Sequence, residues 1–209
     1  MDRDREGRLA EARAAVIAEA DAVRALAEQV DEALLRVAEA LLQCRGHVLV
    51  TGAGTSHAIA LRLAHLLSCS GTPALCLDAG DSLHGGAGAI RPDDVLYVIS
   101  KGGQSAEVNA LARIAKQRGA LVVAQTEAPE APLGQMADLV YRVVAPPQVD
   151  AYGMIATGSS LVNAAAADLL CVLLLPMRGY TREQFAVTHP GGAVGRRLAQ
   201  EDAQEAPPC

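Results

Sequence analysis

The sequence predicts an α/β fold built on an open parallel sheet, and three observations carry that prediction. Five short apolar runs of buried-strand type, within HVLVTG, PALCLD, DVLYVIS, ALVVAQT and DLVYRVV, recur along the chain. Helix-like stretches separate most of them, the alternation that parallel strands with crossover helices require. The 209 residues are 51% hydrophobic, which suits one full core better than several small ones.

Each element follows in order. From about Asp4 to Gln43, apolar residues recur at helical spacing, as in Leu26, Val30, Leu34, Leu35, Val37, Ala38 and Leu41, so this stretch reads as one bent helix or two. Residues 1–45 are therefore expected to form a helical segment whose apolar face packs on the sheet or on a second subunit. The sheet domain then spans 46–200. HVLVTG leads into a helix from about Ser56 to Cys69, and PALCLD leads into the short helix and turn of GDSLHGGAGAI. DVLYVIS precedes a helix from about Ser105 to Arg118. ALVVAQT and DLVYRVV flank the proline-containing EAPEAPLGQMA, and a long helix over Gly158 to Met177 is followed by a shorter one from about Thr181 to Val187. The tail 201–209, EDAQEAPPC, reads as disordered. Aromatic residues make up only 2% of the chain, so Ala, Val and Leu must fill the interior and the layers must pack closely.

Charge and composition narrow the function. A formal net charge of -6 without a basic patch argues against a nucleic-acid surface. The five cysteines, Cys44, Cys69, Cys76, Cys171 and Cys209, include no CxxC pair, which speaks against metal-finger and redox motifs and for reduced thiols in the cytoplasm. The opening MDRDREGRLAEARAA lacks the apolar core of a signal peptide. The apolar stretch from Ile155 to Leu175 is interrupted by Ser159, Ser160, Asn163 and Asp168, which favours a buried helix over a membrane span.

Several stretches carry chemistry. TGAGTSH leaves the first strand through Gly52 and Gly54 and offers Thr55 and Ser56 at a helix start. A dinucleotide loop is the rival reading, but the third glycine of that fingerprint is absent. SKGGQSAE repeats the arrangement at a central strand, with Ser100 and Ser105 flanking Gly102, Gly103 and Gln104 and with Glu107 just inside the next helix. Helix N-termini favour anions, so two such turns suggest a phosphate clamp of hydroxyls and amides, to which Lys101 could add charge. IATGSS places Thr157 and Ser159 where the long helix begins, as caps, as ligand contacts, or both. His189, ahead of Pro190 and two glycines, reads as an imidazole presented outward on a rigid turn, and His84 lies in a second glycine turn. No HxH or HxxxH spacing among His57, His84 and His189 supports a metal site. No metal or cofactor is expected.

Together TGAGTS, LHGGAGAI, SKGGQSAE, IATGSS and THPGGAVGRRL resemble the SIS (sugar isomerase) phosphosugar-binding domain, and within it the arabinose-5-phosphate isomerases, from about residue 10 to 198. The last motif is peculiar to the isomerase branch. The resemblance implies a five-stranded parallel sheet between helices, a homodimer or homotetramer with shared active sites, and aldose–ketose interconversion of a sugar phosphate through an enediol. Members of the branch commonly carry a following pair of CBS modules, which this sequence does not include. Ser56, Ser100 and Ser105 match the family's phosphate-loop hydroxyls, and Thr157 and Ser159 match its third loop. Glu107 matches the carboxylate after the phosphate loop, and His84 and His189 match active-site histidines. Thr55 stands where the isomerases have Lys, Gln148 where they have a second carboxylate, Gly102 for a serine and Gln104 for a glutamate. These departures leave room for a sugar other than arabinose 5-phosphate. Asp150 and His57 are the residues placed to compensate. A non-catalytic phosphosugar sensor and a sugar-phosphate lyase or etherase on the same fold are the alternatives.

Overall fold

In the computed structural model, which describes residues 2–205, the N-terminal stretch forms two helices, α1 (Asp2–Ala25) and α2 (Glu32–Gln43). They are separated by a 3₁₀ turn over Leu26–Gln29. Asp31 starts α2 by accepting the Ala33 N–H at 2.9 Å, as a helix cap does. Leu34, Val37, Ala38 and Leu41 line the buried face of α2, so this part of the apolar stripe read from the sequence packs into the chain's own core, while Val30 and Leu35 stay exposed.

The sheet comprises β1 (Val48–Gly52), β2 (Ala74–Cys76), β3 (Val95–Ile99), β4 (Leu121–Thr126) and β5 (Leu139–Arg142), all parallel and in the order β2-β1-β3-β4-β5. The expected five-stranded parallel sheet is present. Side chains alternate between its faces, as the period of a strand demands. Val48, Val50, Val95, Tyr97, Ile99 and Val123 enter one core, and Leu49, Leu96, Val98, Val122 and Ala124 enter the other.

Helices α2, α3 (Thr55–Cys69) and α7 (Gly158–Met177) cover the first face. The second face is covered by α4 (Ala79–Ser82), α5 (Ala106–Gln117) and α6 (Pro132–Met136). Helix α7 is long and apolar enough to cross a membrane by length and composition alone, yet it lays Val162, Ala166, Ala167, Leu170 and Leu174 into the core over the sheet.

Two elements differ from expectation. The stretch 188–198, read as an exposed turn, follows α8 (Arg182–Thr188) and winds into α9 (Gly192–Glu205), which buries Leu198. Its glycines hid the helix-forming run Arg-Arg-Leu-Ala-Gln-Glu beyond Gly195. The tail read as disordered from 201 is helical to Glu205, and the remainder of that tail lies outside the described residues.

The strand order reverses between β1 and β3, where Gly52 pairs with Ile99. Such a switch point opens a crevice at the carboxyl edge of an open α/β sheet, and the turns 52–57 and 100–106 both start there.

Candidate active site

The site begins with the 52–57 turn. Gly54 holds φ +56 and ψ −127, a conformation costly for any residue with a side chain, and it directs the chain from β1 into α3. At Gly52 a Cβ would lie 2.7 Å from the Ser56 carbonyl carbon, so only glycine lets α3 start this close to the strand. Three cavities border this turn; the widest, about 740 Å³, lies against α1, α3 and α7 and meets the turn at Thr55, and the other two, one small and one larger, form the site.

The smaller cavity, about 30 Å³, is lined by Thr55, Ser56, Ile59, Lys101, Ala156, Ser159, Ser160 and Asn163. It therefore lies between the N-termini of α3 and α7, the polarity that favours an anion. Lys101 Nζ donates to Asp150 Oδ2 at 3.1 Å, and the Asp150 side chain is only 1% exposed. Asp150 Oδ1 accepts the Ser159 N–H at 2.8 Å. Burial works against the carboxylate's charge, but hydrogen bonds from Ser159 and Lys101 outweigh it and hold Asp150 below the usual range. Asp150 thus caps α7 from nine positions upstream. Thr157, one of the two caps expected, instead donates its hydroxyl to the Val149 carbonyl at 3.2 Å. Asp150 spares the clamp a free lysine and fixes its third loop.

The larger cleft, about 350 Å³, is lined by Gly52, Ala53, Gly54, His57, Asp78, Ala79, Gly80 and Glu107. Glu107 lies in the first turn of α5, half-buried. His57 and Asp78 line the same space, with His57 Nδ1 4.0 Å from Asp78 Oδ2.

The 100–106 turn divides between scaffold and site. Ser100 is buried and donates its N–H to the Gln125 carbonyl, while Gly103, at φ +63, offers its carbonyl to Leu133 N and Asn109 Nδ2. Gly103 is thereby held under α6. Ser105 is the half-buried N-cap of α5 without a side-chain capping bond, and Gly102 and Gln104 are exposed.

Most of the second glycine turn, Ser100 and Gly102 to Ser105, lines neither of these two cavities, nor do Thr157, Asp150, Gln148, His84 and His189. Gln148 is exposed on a 3₁₀ turn over Pro147–Val149, and Asp150 takes the buried place two positions on. His84 is exposed after α4. His189, expected to face outward, is half-buried, stacks on Phe185 with 3.7 Å between ring centroids, and sets Nε2 3.5 Å from Cys69 Sγ. Cys69 ends α3 while Thr55 begins it, so His189 lies about 20 Å from the glycine turn at 1.5 Å per helical residue. Among the described residues no group of three His, Cys, Asp or Glu side chains is arranged to hold a metal ion. Lys101, Asn163 and Asp78 are site residues that sequence reasoning underweighted. Lys101 looked like a turn lysine, and its buried partner is 49 residues away.

A crevice at the sheet's switch point, with glycine turns and helix N-termini around a small polar cavity, is the arrangement with which open α/β domains receive an anion. The SIS domain model matches residues 41–173, and this chain belongs to the SIS domain family. It is 34% identical over 180 residues to arabinose 5-phosphate isomerase KdsD of Yersinia pestis, covering 86% of this chain and 55% of that protein. The same enzyme of Pseudomonas aeruginosa matches at 34% with the same coverage. The chain spans about half the length of these curated relatives. Among solved structures, a candidate sugar-phosphate isomerase of Listeria monocytogenes superposes with a TM-score of 0.85 at 34% identity, covering 89% of this chain and 98% of that one. An E. coli CFT073 protein in complex with arabinose 5-phosphate gives a TM-score of 0.85 at 25% identity, covering 88% of this chain and 98% of that one.

Proposed function

We propose that this protein is a sugar-phosphate isomerase that interconverts an aldose and a ketose through an enediol. The observation that carries the reading is the joint placement of an anion-sized cavity and a carboxylate-bearing cleft on either side of one glycine turn. A phosphate held between α3 and α7, beside Ser56, Ser159 and Lys101, leaves the sugar carbons to extend along the cleft toward Glu107. A carboxylate there can move a proton between adjacent carbons, and a second group must stabilise the oxygen charge that develops.

His189 enters this scheme from a neighbouring copy as the group that opens the sugar ring before the proton moves, because within one chain it sits at the far end of α3. A homodimer or homotetramer with shared sites accommodates that placement. Exposed apolar residues on α1, α3 and α7, namely Val16, Ile17, Leu61 and Val172, supply surface for such contacts. Cys44, Cys69, Cys76 and Cys171 are free thiols, and burial pushes Cys171 up to about 11. Stable thiols of this kind fit the cytoplasm.

The test is proton exchange in deuterated water with a panel of four- to seven-carbon aldose and ketose phosphates, followed by NMR. Deuterium at C2 with an aldose–ketose mixture is the expected result. Binding without exchange or new product establishes the second reading, a phosphosugar sensor, which Thr55 and Gln148 favour because they replace the family's lysine and second carboxylate. A product with a broken sugar bond points to a lyase or etherase.

A further inference from the structure

We infer that His57, positioned by Asp78, is the acid–base partner of Glu107 within the same chain, an assignment that rests on the isomerase reading above. Three side chains that carry chemistry line the larger cleft, and they are His57, Asp78 and Glu107. His57 is on the first turn of α3 and Glu107 on the first turn of α5, helices that start from adjacent strands on opposite faces of the sheet. The two side chains therefore border one space from its two sides.

Asp78 is fixed before any ligand arrives. Its Oδ1 accepts the Asp81 N–H at 2.8 Å, and its carbonyl accepts the Ser82 N–H at 3.0 Å. That leaves Oδ2 toward His57 Nδ1 at 4.0 Å, with the Cys76 thiol 4.0 Å from the same nitrogen. At 4.0 Å the pair is one side-chain rotation short of a hydrogen bond; in the proposed arrangement Oδ2 accepts from Nδ1, and Nε2 is the exchanging atom. The pair supplies a proton-handling group in the chain whose first glycine turn carries Thr55.

The proton inventory closes. The Glu107 carboxylate takes the proton from C2 of the bound aldose, the C–H electron pair becomes the C1–C2 double bond, and the carbonyl oxygen O1 takes a proton from Nε2 of the imidazolium. Nε2 then takes the hydroxyl proton from O2, the carbonyl re-forms at C2, and Glu107 returns its proton to C1. Both side chains end as they began.

The experiment compares wild type, H57Q, H57N, D78N and E107Q, using the panel sugar that wild type exchanges fastest and inorganic phosphate as the binding probe. H57Q and H57N are expected to lose exchange by about 100-fold or more while inorganic phosphate binds within about twofold, since His57 does not line the smaller cavity. D78N keeps an acceptor for the Asp81 N–H but removes the charge facing His57. Its kcat is expected to fall on the order of 10-fold or more with KM little changed, a split that a merely structural role would not give. If either His57 variant folds and exchanges at the wild-type rate while E107Q does not, the assignment is overturned and the isomerase reading stands. If wild type itself binds the panel without exchange, both fall.

Discussion

Asp150 joins three parts of the site through one buried carboxylate, receiving Lys101 from the turn after β3 and the Ser159 N–H from the start of α7. Its folded value lies below the ordinary 3.8, so the sign of its pH dependence is set. The stabilisation is complete above the unfolded value and is lost as pH falls through the lower folded one. Urea unfolding of wild type and D150N is expected to show a gap of about 1–3 kcal/mol at neutral pH that closes in the acid range below pH 3.8. A gap unchanged by acid would mean that the charge contributes nothing. Lys101→Met strands the buried carboxylate and is expected to cost on the order of 3 kcal/mol, with K101M/D150N less destabilised than K101M alone. The same Lys101→Met change weakens phosphate binding, because the ammonium lines the smaller cavity.

Among the elements, α7 is anchored by a polar thread that crosses the sheet. Tyr97 donates its hydroxyl to Gln125 Oε1 at 2.7 Å, Gln125 Nε2 donates to the Asn163 side chain at 2.9 Å, and Asn163 donates to the Ser159 carbonyl at 2.9 Å. Burial drives the Tyr97 hydroxyl well above its usual range, so it stays a donor. Gln125→Leu orphans both that hydroxyl and Asn163 Oδ1, and is expected to cost about 1–3 kcal/mol in urea unfolding. A larger share of the effect should fall on hydrogen exchange at the start of α7 than on β1, and equal loss in both would deny the thread its local role. This thread also explains what the sequence revealed and what it hid. The strands could be read because runs such as Val95 to Ile99 are apolar without interruption and buried on both faces, and the glycine turns because few residues tolerate the conformation at Gly54. The partner of Gln125, 38 residues on, and the cap at Asp150 follow no local period. Likewise His189 carried the right motif but not its placement, since motif spacing says nothing of which end of α3 it meets.

At the scale of the whole molecule, the distance between His189 and the glycine turn decides how many chains make a site. Helix α3 separates them by its full length, and no side-chain rotation spans about 20 Å, the rise of that helix. If each site joins Glu107 of one copy to His189 of another, then E107Q and H189A must complement. Each variant alone is expected to lose at least about 100-fold in turnover. Unfolding and refolding them together gives mixed dimers in which one site holds both intact residues, so random association recovers about a quarter of wild-type activity. Light scattering should report a dimer or tetramer throughout. Mixed species confirmed by mass spectrometry but still inactive would put both residues of a site on one chain, and a monomer with full turnover would remove any place for His189 in the chemistry. Recovery would make assembly part of catalysis, with the apolar faces of α1, α3 and α7 bringing the second half of each site into register.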